Sequence, residues 1–160
     1  MSTTESLIFF GTGEISQAAV DALARDYAIE AVITKPDRIG HGRTIPSPVE
    51  NWARQRNIPV HTPGTAAELT TLITGTAWRS TAAVLVDYGI IVQAAVIDSF
   101  PRGIVNSHFS LLPQYRGADP ITAALLNGDA RTGISLMLLV EKLDAGPIVA
   151  CKMFVIPPDT

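Results

Sequence analysis

A single cysteine, Cys151, in 160 residues excludes an internal disulfide and any Cys-x-x-Cys metal site. That scarcity fits a reducing, cytoplasmic setting. Only three histidines are present, and His41 and His61 have no partners at ligand spacing, so no metal is expected. No long uninterrupted apolar run exists. The longest, residues 82–97, is broken by Asp87, Gly89 and Gln93 and cannot span a bilayer, so no membrane is expected as a partner. Residues 1–6 are polar, carry Glu5 and lack the basic-then-apolar order of a signal peptide. Excess positive charge is also missing. A net charge of -3 argues against gripping nucleic acid by bulk charge and leaves only local contacts for any RNA. There is no serine elbow, no His-Glu-x-x-His, no internal repeat and no low-complexity tract.

What is present is a chain 47% hydrophobic and 17% charged, enough for one domain with a single core. Leu7-Ile-Phe-Phe10 reads as a buried strand entering a Gly11-Thr-Gly13 turn. Residues 14–26 place Ile15, Ala18, Ala19, Ala22 and Leu23 at helical spacing. Residues 29–34 read as a second strand, and 35–46, polar and broken by Pro and Gly, as a loop. Ser47-Pro48 predicts an N-cap with Pro at the first helical position, opening a helix to about residue 57. Further strands are expected at 58–61, 82–87 and 103–107, and helices at 65–74, 93–99 and 120–127, the last stopped by Gly128. Residues 132–140 and 147–156 are β-rich and have no room for a helix between them, so they should pair antiparallel. The alternation predicts an α/β fold. It is a Rossmann-like open sheet, mostly parallel, with an antiparallel C-terminal strand pair and helices on both faces. Residues 157–160 read as a turn delivering an N-cap with no helix after it. The expected organisation is therefore one domain over 1–160, truncated at its C-terminal end.

Gly11-Thr-Gly13-Glu-Ile-Ser16 resembles the start of a dinucleotide fingerprint. That motif also needs an acidic residue at the end of the second strand. Glu30 lies at its start and Asp37 beyond it. A strand-to-helix turn that needs glycine is the simpler reading.

The segment richest in chemistry is Asn106-Ser-His108-Phe-Ser110-Leu-Leu-Pro113-Gln-Tyr-Arg116-Gly117. Side chains two apart on a strand face the same side, about 6.5–7 Å apart. Asn106 and His108 should therefore share one side at the carboxyl end of a strand, where open parallel sheets bind ligands. An Asn amide can donate to a developing oxyanion, and a His can donate or exchange a proton near neutral pH. A carboxylate would orient the imidazole. Asp144, in Lys142-Leu-Asp144-Ala-Gly146-Pro147, is the candidate, on a turn that Gly146 and Pro147 should fix. Taken singly, a His near a strand end or an Asp before Ala-Gly is more often structural than catalytic.

The run Asn-x-His followed by Ser-Leu-Leu-Pro-x-x-Arg-Gly, with Leu-Asp-x-Gly at 143–146, resembles the folate-dependent formyltransferase family. Phe10-Gly-Thr and Tyr88-Gly89-Ile-Ile resemble its first strand-turn and its folate loop. Thr34-Lys-Pro-Asp-Arg38, Gly42-Arg43 and Ser47-Pro48-Val49 resemble the loop and helix of the branch acting on transfer RNA. The resemblance implies 10-formyltetrahydrofolate as formyl donor and initiator methionyl-tRNA as acceptor, in translation initiation. It implies Asn106, His108 and Asp144 as catalytic residues. It implies Gly89, Ile90, Ile91, Leu111 and Asp144 at the folate, and Arg38, Arg43, Ser110 and Arg116 toward the acceptor. It leaves open another acceptor amine, such as a nucleotide-linked amino sugar, and a non-catalytic folate-binding remnant. The C-terminal β-barrel domain of that branch is not in this sequence. Two positions depart from the family pattern. Asp87 stands where a small residue is usual, and Gly13-Glu14 follows Gly-Thr where Pro is usual.

Overall fold

The computed structural model describes residues 5–40 and 43–157, with 38–40 and 43–45 as backbone only. Two compact units succeed one another, Met1–Ile104 and Val105–Thr160. In the first, β1 (Ser6–Gly11) pairs in parallel with β2 (Ala28–Ile33) and with β6 (Ala83–Val86), and β2 pairs in parallel with β5 (Val60–His61). β1 is a continuous apolar run because neither face meets water: Ile8, Phe9 and Phe10 are fully buried. The helices between them are α1 (Glu14–Leu23), α2 (Pro48–Gln55), α3 (Ala66–Gly75) and α4 (Ala94–Asp98). In the second unit, β7 (Ile104–His108) pairs antiparallel with β8 (Arg131–Leu138), and β8 with β9 (Ile148–Val155), while α5 (Pro120–Leu126) lies between β7 and β8 in sequence. The strand order is β5-β2-β1-β6 in the first unit and β7-β8-β9 in the second. The mostly parallel sheet with an antiparallel C-terminal pair is therefore present.

Two local expectations need correction. Residues 35–46 are not simply a loop, since β3 (Arg38–Gly40) and β4 (Arg43–Ile45) form a short antiparallel pair. The buried residues of α1 are Ser16 and Val20, whereas Ile15 is half exposed. A polar residue holds that inner position because the Ser16 hydroxyl donates to the Val86 carbonyl at 2.7 Å, which satisfies it inside the core. The expected N-cap of α2 is present: Ser47 Oγ accepts from Glu50 N, with Pro48 at the first helical position. The turn expected at the chain end, residues 158–160, lies outside the described residues, as do His41 and Gly42.

Candidate active site

β7 alternates buried and half-buried residues, so Asn106 and His108 fall on its buried side together, as period-two geometry requires. Both remain only slightly exposed, at 8% and 6%. The chain then enters a loop that hydrogen bonds hold tightly. Ser135 on β8, directly opposite His108 in register, donates from Oγ to the Ser110 carbonyl at 2.8 Å and accepts from Leu112 N at 3.0 Å. The Ser110 hydroxyl donates to the Gln114 carbonyl at 2.5 Å. These bonds bring the backbone of Tyr115 back over the strand end. His108 Nε2 lies 2.8 Å from the Tyr115 carbonyl oxygen. A carbonyl only accepts, so the Nε2 proton is in place and Nδ1 faces the other way.

What Nδ1 faces is Asp144, whose Oδ2 is 3.6 Å away, with both side chains 7% exposed. Asp144 has φ +46 in the 141–147 connection, and its Oδ2 accepts from Gly117 N at 2.8 Å. Gly117 itself has φ +110, so the Arg116-Gly117 pair of the sequence motif serves to turn an amide onto the carboxylate. His108 and Asp144 thus meet in one buried place, and Asn106 shares the buried side of β7 with His108. One partner was missed. The group that holds the imidazole by a short hydrogen bond is the Tyr115 carbonyl, and Asp144 stands at ion-pair distance. A backbone carbonyl carries no side-chain signal, so no residue pattern announces it. The Asn106 amide has no hydrogen-bond partner among the described residues and stays available to a ligand.

The other named positions are more dispersed. Leu111 is half-buried against Gly133. Arg116 is exposed and has no ion-pair partner among the described residues. The side chains of Arg38 and Arg43 lie outside the described residues. In the first unit, Gly89 has φ +72, Ile90 is half-buried and Ile91 is 80% exposed. The Lys35 ammonium occupies the space that a side chain at Gly89 would need. A cavity of about 360 Å³ opens beside this turn, lined by Thr12, Gly13, Lys35, Ser47, Asp87 and Tyr88 among others. Both family departures, Gly13 and Asp87, sit in its wall. A Cβ at Gly13 would lie 3.0 Å from Asp87 Oδ2, so the missing side chain at 13 makes room for the carboxylate at 87. The Gly11–Ser16 turn is closed by its own residues: Thr12 N donates to Ser16 Oγ at 3.2 Å.

Among the described residues no cluster of three His, Cys, Asp or Glu side chains could hold a metal, and no helix is long and apolar enough to cross a membrane.

The chain is 39% identical over 157 residues to the methionyl-tRNA formyltransferase of Roseiflexus sp. (strain RS-1), covering 96% of this chain and 48% of that protein. It is 41% identical over 149 residues to the methionyl-tRNA formyltransferase of Listeria monocytogenes serotype 4a (strain HCC23), covering 90% and 47%. The chain thus spans about half the length of these relatives. Among solved structures, phosphoribosylglycinamide formyltransferase from Bacillus halodurans superposes with a TM-score of 0.80 at 22% identity, over 98% of this chain and 82% of that one. At that identity the likeness speaks for the fold. The formyl transferase family pattern matches residues 5–160, and the chain belongs to that family.

Proposed function

We propose that this chain carries the catalytic segment that moves a formyl group from 10-formyltetrahydrofolate to the α-amine of methionyl initiator tRNA, in the cytoplasm. The observation that supports it most is the buried His108–Asp144 pair, with Asn106 buried on the same side of β7. An α-amine titrates near 7.7–8.0, so a useful neutral fraction exists at physiological pH. The neutral amine attacks the formyl carbon, and the carbonyl oxygen becomes an oxyanion. The free Asn106 amide and His108 stabilise that charge. Asp144 orients His108 and assists the proton on its way from the amine to the folate nitrogen that leaves. Most of the rate gain then comes from positioning and electrostatics.

The donor is assigned to the Tyr88-Gly89-Ile90-Ile91 turn. The turn fits: the backbone groups of Gly89, Ile90 and Ile91 make no hydrogen bond among the described residues, and Ile91 offers apolar surface. Uncommitted amides and carbonyls beside an apolar wall are what a flat heterocycle with edge donors and acceptors requires. Arg38, Arg43 and Arg116 are assigned to the acceptor end, by contacts to phosphates; Ser110 is fully buried and its hydroxyl is donated to Gln114, so it serves the loop instead.

Formyl-transfer assays with His108→Ala and Asn106→Ala are the test. Each change should lower turnover at least about tenfold, and up to roughly 10³-fold. Full turnover in either variant rejects the assignment. A panel of acceptors, with methionyl-tRNA beside small nucleotide-linked amino sugars, decides which amine is formylated.

A further inference from the structure

We propose that Asp129 is a positioning residue for His108, acting through Tyr115; the proposal rests on the assignment of His108 to formyl transfer. Tyr115 touches His108 with its backbone carbonyl, at 2.8 Å from Nε2. Its side chain is tied elsewhere. The phenol donates to Asp129 Oδ2 at 2.6 Å and accepts from Asn127 Nδ2 at 3.1 Å. Asn127 is the C-cap of α5, and Asp129 follows Gly128, whose φ is +67. A phenol has one hydrogen to give, so with that hydrogen donated and a lone pair filled its orientation is settled.

The anchor matters because of the backbone it serves. Tyr115 has φ +52, a left-handed conformation that a bulky aromatic residue adopts rarely and at a cost. Surrounding contacts must hold it there. Within the loop, Ser110 and Ser135 fix the backbone on the amino side of Tyr115, and the Asp144 carboxylate fixes Gly117 on the other. The phenol clamp adds a further constraint and ties the loop to the α5–β8 corner by hydrogen bonds. The hydrogen bond to Asp129 also pushes the Tyr115 ionisation up, and burial adds to this while Asn127 opposes it, so the phenol stays a neutral donor. With the clamp in place the Tyr115 carbonyl keeps the proton on His108 Nε2 and turns Nδ1 toward Asp144. Without it the carbonyl can rotate away. The imidazole then samples both tautomers and other ring orientations, and only part of the population is competent. The step affected is turnover. Substrate binding does not depend on it.

The experiment combines imidazole nitrogen NMR of His108 with formyl-transfer kinetics in Tyr115→Phe, Asp129→Ala and Asp129→Asn. Tyr115→Phe keeps the ring and removes only the hydroxyl, so the fold is retained, which a thermal melt verifies. In the native chain His108 should show one tautomer with Nε2 protonated. Tyr115→Phe and Asp129→Ala should show mixed tautomers, and kcat should fall roughly tenfold to a hundredfold at nearly unchanged KM. Asp129→Asn keeps an oxygen acceptor for the phenol and should restore both readouts. The double variant Tyr115→Phe, Asp129→Ala should be no worse than either single one, because they break the same link. A native His108 spectrum in both broken variants overturns the proposal, as does an altered spectrum with unaltered kcat. His108→Ala, run alongside, keeps the failures apart. If it turns over normally the formyl-transfer role of His108 falls, while the spectra still report whether the clamp exists.

Discussion

Glu30 holds two backbone amides and a hydroxyl at once. Its carboxylate accepts from Arg79 N at 3.1 Å, from Ser80 N at 2.7 Å and from the Ser80 hydroxyl at 2.6 Å. Burial alone would push the carboxyl ionisation up. The Ser80 hydroxyl, the two amides and the Arg79 guanidinium more than offset it, and the result lies below the ordinary glutamate value. Glu30→Ala should therefore cost about 2 kcal/mol at neutral pH, because three donors lose their acceptor. The sign of the pH dependence follows from a depressed ionisation. The stabilisation is fully present above the ordinary carboxylate range and is lost as pH falls through the folded value. Urea denaturation of both proteins at neutral pH and at about pH 3 checks it; the gap between them should narrow in acid. The same residue shows where residue-scale reading succeeds and stops. Its place at the start of β2 argues against a ribose ligand, but its partners lie fifty residues away in sequence and no local pattern points to them. Asn106 and His108 were legible because strand period is local. Asp144 was legible only through family resemblance, and the Tyr115 carbonyl not at all. Gly146 was legible for the wrong reason. Its lack of a side chain is needed because a Cβ there would overlap the Leu138 carbonyl, beyond any need of the turn.

At the scale of elements, the start of α2 was the clearest signal, because a cap is decided by four adjacent residues. α2 and α3 both begin on a side-chain cap, Ser47 to Glu50 N at 3.0 Å and Thr65 to Glu68 N at 3.2 Å. Their surroundings differ. Ser47 is buried and shares a second hydrogen bond of 2.9 Å with Thr34 Oγ1, whereas Thr65 is exposed. Ser47→Ala leaves an amide and a buried hydroxyl unsatisfied and should cost about 2 kcal/mol; Thr65→Ala, where water replaces the cap, about 0.5–1 kcal/mol. Denaturant midpoints of the two variants test the ranking, and equal losses would contradict the burial argument. Ser47 also lines the cavity beside Asp87, so the first turn of α2 is held where that wall needs it. The β3–β4 pair escaped the sequence because its strands are three residues each, too short for a period to show. The inner face of α1 escaped because hydropathy ranks Ile15 above Ser16, and only the Val86 carbonyl reverses that order.

For the molecule as a whole, the outer strand has the largest consequence. β9 ends the strand order, and all eight of its residues are exposed. Among the described residues its outer edge pairs with no strand, and Val149, Met153, Phe154 and Val155 stand 58%, 54%, 45% and 66% exposed beside it. Lys152 is its one charge. Proteins blunt such edges with charge, proline or a covering element, and β9 as described has one lysine to do so. A net charge of -3 adds little repulsion between copies. The 160-residue chain should therefore self-associate with rising concentration, through edge-to-edge pairing of β9. Val149→Lys with Val155→Lys places like charges on both flanks of the strand without touching the buried Asn106, His108 and Asp144 group. Sedimentation velocity across a concentration series should show the native chain shifting to larger species and the double variant remaining monomeric. Chain stability should differ little between them, since neither valine is buried. A monomeric native chain at high concentration would mean that the edge is guarded by its twist, and the prediction would fail.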